Sequence, residues 1–253
     1  MYLWRKRATA KWWIDNETPL RVRAGLKLAV IERSDRKRLQ IEVAAQSQHQ
    51  LRALAKEFGG RVTKLPSDWL KRALHSGKTK PIKIGNYKLL IPASVAFGTG
   101  EHATTALSLR MLERLTRNWK SGWSIVDLGA GSGILALAAK QLGAGRTIGV
   151  DIDPIAISTA KANARLNKID DVKFQVADVR RWELPAKIDV ATANLYSDLL
   201  IKILPQLTRS RWLILSGILR NQETEVVRAL KRNDMGVMDL RRRGKWIAIL
   251  AEP

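Results

Sequence analysis

A chain of 253 residues with 45% hydrophobic content is long enough for one large domain, or for one domain and a smaller module, and is neither disordered nor low-complexity. Zero cysteines exclude a disulfide framework, an iron–sulfur cluster, a thiolate zinc site and a cysteine nucleophile. The three histidines, His49, His75 and His102, show no ligand spacing, so no metal site is expected. The net charge of +22 exceeds the magnitude of about 2–8 that solubility asks of a small domain.

That charge is uneven. Residues 1–90 carry 21 Lys+Arg against 7 Asp+Glu, and residues 91–253 carry 24 against 16. Such a field attracts phosphate backbones or acidic surfaces, so a ribosome or RNA nearby is one reading and a solvated basic surface is the other. The longest clean apolar run, Ile134 to Ala139, ends at Lys140 and falls far short of the roughly 20 residues of a membrane span. The basic stretch Met1 to Trp13 lacks the apolar core and cleavage pattern of a signal peptide. A cytoplasmic location without membrane attachment is expected.

The first twenty residues carry no clear period and break at Asn16 to Pro19. Trp4, Trp12 and Trp13 lie among Arg5, Lys6, Arg7 and Lys11, an interleaving that suits either base stacking or packing within the module. Arg21 to Glu32 and Leu39 to Ala44 alternate apolar and polar residues around Ser34-Asp35-Arg36-Lys37, which predicts a β-hairpin. Ser47 to Phe58 has helical spacing and stops at Gly59-Gly60; Arg61 to Leu65 is a short strand. The expected order is β-β-α-β, a small α+β module. Another short helix is expected from Ser67 to near Gly77, and a strand over Tyr87 to Ile91.

Thereafter the character changes. Val95 to His102 is a glycine-punctuated loop, and Thr104 to Arg117 is an amphipathic helix. Strands over Ser124–Leu128, Thr147–Ile152, Val172–Ala177, Ile188–Ala193 and Trp212–Ser216 alternate with helices near 134–142, 154–167, 198–207 and 221–232. This predicts parallel βαβ units. Val237–Arg242 and Lys245–Ala251 are joined only by Arg243-Gly244, which requires an antiparallel hairpin. The expected fold is α/β: a Rossmann-like seven-strand sheet, mostly parallel with a C-terminal antiparallel hairpin, preceded by the small module. Residues 1–68 would form the module, 69–90 a linking helix and strand, and 91–253 the main domain.

Where the first strand meets its helix stands Asp127-Leu128-Gly129-Ala130-Gly131-Ser132-Gly133. Glycines let a backbone turn sharply and approach a ligand, and the next helix aims its first N–H groups at the same place. The spacing is not the dinucleotide G-x-G-x-x-G, because position 134 is Ile134, and no P-loop lysine follows. The loop resembles the first motif of S-adenosylmethionine-dependent methyltransferases, where an acid such as Asp127 suits the ammonium of a zwitterionic ligand. Asp151, 24 residues on at the tip of the second strand, can accept both ribose hydroxyls. Asp178, after the third strand, either meets the adenine amino group or caps the following turn.

Two further segments narrow the class. Phe97-Gly98-Thr99-Gly100-Glu101-His102-Ala103-Thr104-Thr105, together with Asn194-Leu195-Tyr196 and Leu215-Ser216-Gly217-Ile218-Leu219, resembles the PrmA family, the methyltransferases of ribosomal protein L11. The likeness runs over about residues 86–253. It implies S-adenosylmethionine as cofactor, with Phe97 and Gly98 near its methionyl chain and Thr104 and Thr105 at its polar end. It also implies Asp127, Gly129, Gly131, Asp151, Ile152 and Asp178 around its backbone and nucleoside. Asn194 and Leu195 would face the methyl group and orient the acceptor amine. Plain N-capping by the threonines, and a turn role for Asn194, are the local alternatives.

The implied function is N-methylation of a lysine or N-terminal amine of a ribosomal protein. Base-amine methyltransferases commonly carry two prolines and an aromatic after the Asn; here Leu195-Tyr196-Ser197 follows, which counts against an RNA methyltransferase, the first alternative. A silent ribosome-associated binding module is the second, and the intact Gly129, Asp151 and Asn194 count against it. His102 is either a general base or a brace for its loop. The N-terminal part departs most from the family: only Leu39–Leu65 and Asp68-Trp69-Leu70 match its pattern. A basic chain and a basic free ribosomal protein repel, so the substrate is better met beside ribosomal RNA, or is another, acidic protein.

Overall fold

A computed structural model of the protein describes residues 2–24, 28–31, 39–45, 47–66, 81–92, 100 and 102–253. The chain divides into two compact units: Met1–Lys78 with Ala93–Phe97, and Thr79–Pro92 with Gly98–Pro253. No helix among the described residues is long and apolar enough to cross a membrane.

The first unit runs β1 (Tyr2–Ala8), α1 (Ala10–Ala24), β2 (Leu28–Ile31), β3 (Leu39–Ala45), α2 (Gln48–Phe58) and β4 (Arg61–Lys64). Its antiparallel sheet has the order β2-β3-β1-β4. The hairpin between β2 and β3 is present, but Arg21–Ala24 ends a helix rather than opening a strand, and the expected β-β-α-β is β-α-β-β-α-β. The error has a physical source. A basic strand and a helix that carries Trp12-Trp13-Ile14 and an internal Pro19 offer no clean period to read.

Trp4 on β1 anchors this unit. It is fully buried with Ile41 and Val43 of β3, Leu20 of α1, and Leu51, Leu54 and Phe58 of α2. Its indole N–H donates to the Gly59 carbonyl at 2.8 Å, just where α2 ends in left-handed backbone. Trp12 and Trp13 pack against the same core, with the Lys6 ammonium 4.5 Å from the Trp12 ring. The helix expected from Ser67 to Gly77 lies outside the described residues.

The second unit opens with a small hairpin, β5 (Ile82–Ile84) and β6 (Tyr87–Leu89), turning at Gly85-Asn86. It continues with α3 (Ala103–Thr116), β7 (Ser124–Leu128), α4 (Ile134–Gln141), β8 (Arg146–Asp151), α5 (Pro154–Leu166), β9 (Val172–Val176), β10 (Ile188–Asn194) and α6 (Ser197–Ile203). Then come β11 (Ser210–Leu219), α7 (Glu223–Arg232), β12 (Gly236–Arg243) and β13 (Trp246–Glu252). The seven-stranded sheet has the order β12-β13-β11-β10-β7-β8-β9, parallel from β11 to β9 and antiparallel at β13 and β12. One apolar layer packs α3, α4 and α5 on one face, and another packs α6 and α7 on the other. The helix expected over 198–207 stops at Ile203 and tightens into a 3₁₀ turn, Leu204–Arg209, because Pro205 has no N–H to continue the helical ladder. β11 runs longer than expected and bulges at Gly217, where its register with β13 shifts.

Truncating Trp4 to Ala removes a fully buried indole and leaves the Gly59 carbonyl without its donor. It should destabilise the first unit by about 3–5 kcal/mol. Hydrogen exchange should show lost protection at the β1 and β3 amides, and unchanged protection there would contradict the anchor role.

Candidate active site

The parallel strands end along one edge of the sheet, and their order reverses between β7 and β10. Open α/β sheets bind ligands in the crevice at such a switch point. The turn after β7 carries left-handed backbone at Gly129 (φ +75°), Gly131 (φ +53°) and Gly133 (φ +80°). The Gly129 and Ala130 amides donate to the Val150 carbonyl on β8 at 2.8 and 2.9 Å. At the tip of β8, one Asp151 oxygen accepts from the Gly131 amide and the other from the Asp153 amide, each at 2.9 Å. This carboxylate therefore clips the glycine turn to the neighbouring strand. Burial raises its pKa above the ordinary carboxylate value, and the two amides oppose that shift.

Beneath the turn lies the ring of Phe174 from β9. A Cβ added at Gly149 would stand 2.6 Å from that ring, and one at Gly133 would stand 2.9 Å from it. Asn163 of α5 donates to the Ser132 carbonyl at 2.8 Å and fixes the far side of the turn. Asp127, 1% exposed, accepts from the Thr192 hydroxyl of β10 at 2.8 Å; its second oxygen meets no hydrogen-bond partner of good geometry. Burial pushes its carboxyl up to about 7, against the Thr192 hydroxyl and the Ala136 amide, which favour the ionised form, while the nearby Asp151 adds to the rise.

Across the switch point, β10 ends at Asn194. Its side-chain amide donates to the Thr105 hydroxyl at 3.4 Å. Thr104 and Thr105 are buried in the first turn of α3, yet neither caps it. The cap position belongs to His102, whose Nδ1 stands 2.8 Å from the Thr104 hydroxyl oxygen and whose ring meets Trp246 edge-on at 5.1 Å. The threonine N-cap alternative is thereby corrected, and these contacts of His102 are those of a brace. Leu195 lies against Gly129, where an added Cβ would come within 2.5 Å of its side chain. Its amide donates to the Ser216 carbonyl at 3.0 Å. Behind it, Gly217 (φ +86°) has no room for a side chain: a Cβ would sit 2.2 Å from the Leu195 carbonyl oxygen.

Thr105, Gly129, Asn194 and Leu195 thus come together on one side, and Gly131 and Asp151 on the other. Ile152 stands beside Asp151, 38% exposed. Asp178 lies just beyond the end of β9, with its carboxylate engaged by the Arg180 guanidinium and by the Arg180 amide at 3.0 Å; that ion pair holds its pKa down at about 2. It closes its own turn, the capping role left open above. Phe97 and Gly98 lie outside the described residues. Sequence reasoning missed Thr192, Asn163 and Phe174. Only Phe174 left a signal, an aromatic in register across strands with Gly149.

The raised pKa of Asp127 makes a stability prediction. Between the ordinary value of 3.8 and about 7, the folded chain holds a proton here that the unfolded chain has released. Its contribution to stability is therefore complete below the lower value and is lost as pH rises through about 7. Asp127→Asn should flatten that part of the stability–pH curve in urea titrations, and an unchanged slope would contradict the assignment.

A family model described as "Ribosomal protein L11 methyltransferase (PrmA)" matches residues 39–253. A ribosomal protein L11 methyltransferase of Lacticaseibacillus paracasei is 34% identical over 173 residues, covering 67% of this chain and 54% of the relative. One from Pelotomaculum thermopropionicum is 37% identical over 172 residues, covering 66% and 54%. The chain thus spans about half the length of these curated relatives. The crystal structure of a ribosomal protein L11 methylase from Lactobacillus delbrueckii subsp. bulgaricus shares 32% identity at a TM-score of 0.55, covering 60% of this chain and 80% of that one. A putative RNA methyltransferase from Pyrococcus horikoshii, at 17% identity and a TM-score of 0.51 over 75% of this chain and 98% of its own, shares the fold. With 215 residues matched by the family model, the chain belongs to the ribosomal protein L11 methyltransferase (PrmA) family.

Proposed function

We propose that this chain transfers a methyl group from S-adenosylmethionine to an amine of a ribosomal protein, on a lysine side chain or an N-terminus, in the cytoplasm. The observation that carries the reading is the orientation of Asn194 at the switch point. Its Nδ2 is given to Thr105, so its carbonyl oxygen is left to accept a hydrogen bond from an incoming amine.

The residues fit the cofactor. The turn Gly129–Gly133 leaves backbone open at a helix N-terminus, as a methionyl carboxylate requires. Asp151 has spent one lone pair of each oxygen on a backbone amide and keeps others for ribose hydroxyls. The second oxygen of Asp127 meets no hydrogen-bond partner of good geometry, and a cationic ligand nearby would favour the ionised form of this carboxyl. Ile152 offers an apolar flank for a nucleoside. When bound, S-adenosylmethionine supplies an electrophilic methyl group on a sulfonium centre.

In this reading the Asn194 carbonyl would orient the acceptor amine, which has first given up a proton to solvent, toward the position of the cofactor's methyl group. The cofactor would supply that methyl group and leave as a neutral thioether, the amine taking up the positive charge. Leu195, held by Ser216 and Gly217, walls the acceptor position against water. Residues 1–68 serve as the substrate-recognition module, 69–90 as the link and 91–253 as the methyl-transfer domain.

Asn194→Ala should lower methyl transfer to a ribosomal-protein fraction about 10²-fold while cofactor affinity changes far less. Methyl-labelled cofactor, with the product divided between protease and RNase digestion, reads both the rate and the substrate class. Wild-type rates in the variant would remove Asn194 from the mechanism, and label lost to RNase would overturn the protein-substrate reading.

A further inference from the structure

The C-terminal hairpin turns at the same edge as the candidate site. Arg243 pairs with Trp246 across the turn, Trp246 lies opposite Leu219 at the end of β11, and the Arg220 amide donates to the Lys245 carbonyl at 2.9 Å. Trp246 meets His102, which caps the helix that presents Thr105 to Asn194. The hairpin tip is therefore connected through two side chains to the helix end that borders the acceptor position.

This tip is strongly basic. Arg220, Arg241, Arg242, Arg243 and Lys245 are exposed there, and the acids beside them are Glu223 and Asp239. Both acids are engaged within the patch: Asp239 with Arg241 at 2.9 Å, and Glu223 with Arg242. Among the described residues no carboxylate pairs with Arg220 or Arg243. Alternate residues of a strand share a face, so Arg241 and Arg243 project from one side of β12 about 7 Å apart. That spacing is of the order of successive phosphates along a nucleic-acid strand. Arg241 and Arg243 are mounted on regular sheet, which fixes their spacing as a loop would not, and Arg220 is tied to the same tip by its amide bond to Lys245.

We infer that the β12–β13 hairpin tip, with Arg220, is a docking surface for the phosphate backbone of an RNA strand beside the methyl-acceptor position. Arginine forks pair with phosphate in a bidentate manner. A short acidic peptide would need only these few cations. The +22 of the whole chain is a field on the scale of a polyelectrolyte, where each neutralised phosphate releases counterions. The inference rests on the proposed function only for what the position means: a ribosomal-protein substrate would be met with its RNA alongside. The docking itself is measurable without cofactor or turnover.

The test is fluorescence anisotropy of a labelled RNA of about 20 nucleotides with the full chain and with an Arg220→Ala/Arg243→Ala double variant, across a salt series. Removing two phosphate contacts should weaken binding roughly tenfold at low salt and flatten the log K against log salt slope by about 1.4. Arg220→Lys/Arg243→Lys should retain most of that slope, and an unchanged melting temperature checks that the double-Ala variant folds. RNA affinity and slope equal to wild type in the double-Ala variant would overturn the inference. So would poly-L-glutamate competing as effectively as RNA, which would make the surface an acidic-protein site. Loss of methyl transfer in a separate assay bears only on the proposed function.

Discussion

One carboxylate holds the candidate site in shape. Asp151, at the tip of β8, binds the amide of Gly131 across the gap to β7 and the amide of Asp153 in its own turn. Without that clip, three alternating left-handed glycines would have little reason to hold one conformation, since glycine loses the most freedom on ordering. The clip works because the strands are parallel and adjacent in register, with Leu128 opposite Val150, so both tips end at the same height. The helix that follows the turn then aims its free amides into the crevice. A ligand that takes the remaining lone pairs of Asp151 would bind to an element already ordered for it.

A second constraint acts from the other side of the switch point. Asn194 and Leu195 are set by what lies behind them: the Ser216 carbonyl, and Gly217, whose bulge lets the β11 backbone pass close to Leu195. In front stands the first turn of α3, where Thr105 fixes the face of the Asn194 amide. The Asn194 side is thus held through backbone and hydroxyl contacts, and the Asp151 side through a carboxylate. Such a division would suit the proposed methyl transfer, which depends on in-line geometry.

Much of this was legible in the residues. The alternation of β-branched strands with helices announced the parallel sheet, and Arg243-Gly244 announced its antiparallel end. The turn from Asp127 to Gly133 and the acid at Asp151 marked the strand-end crevice because glycine spacing and strand-end acids follow from backbone geometry. What escaped reading had no periodic or compositional mark. β1 and α1 carry mixed aromatic and basic residues without alternation, and the hairpin at Gly85-Asn86 is formed by strands of only three residues each. The role of Thr192 under Asp127, and the cap position of His102, depend on contacts across 65 residues or on local backbone angles, which no window of sequence displays.

The most direct measurement is calorimetric titration of S-adenosyl-L-homocysteine, the demethylated product form of the proposed cofactor, into the full chain and into Asp151→Ala. The account predicts one saturable site in the wild-type chain, weakened by about tenfold or more in the variant through the loss of charge-assisted hydrogen bonds to ribose and of the clip on Gly131. Equal affinity in a folded Asp151→Ala chain, or no saturable binding to folded wild type, would contradict the claim that the carboxyl edge of this sheet is a nucleoside site.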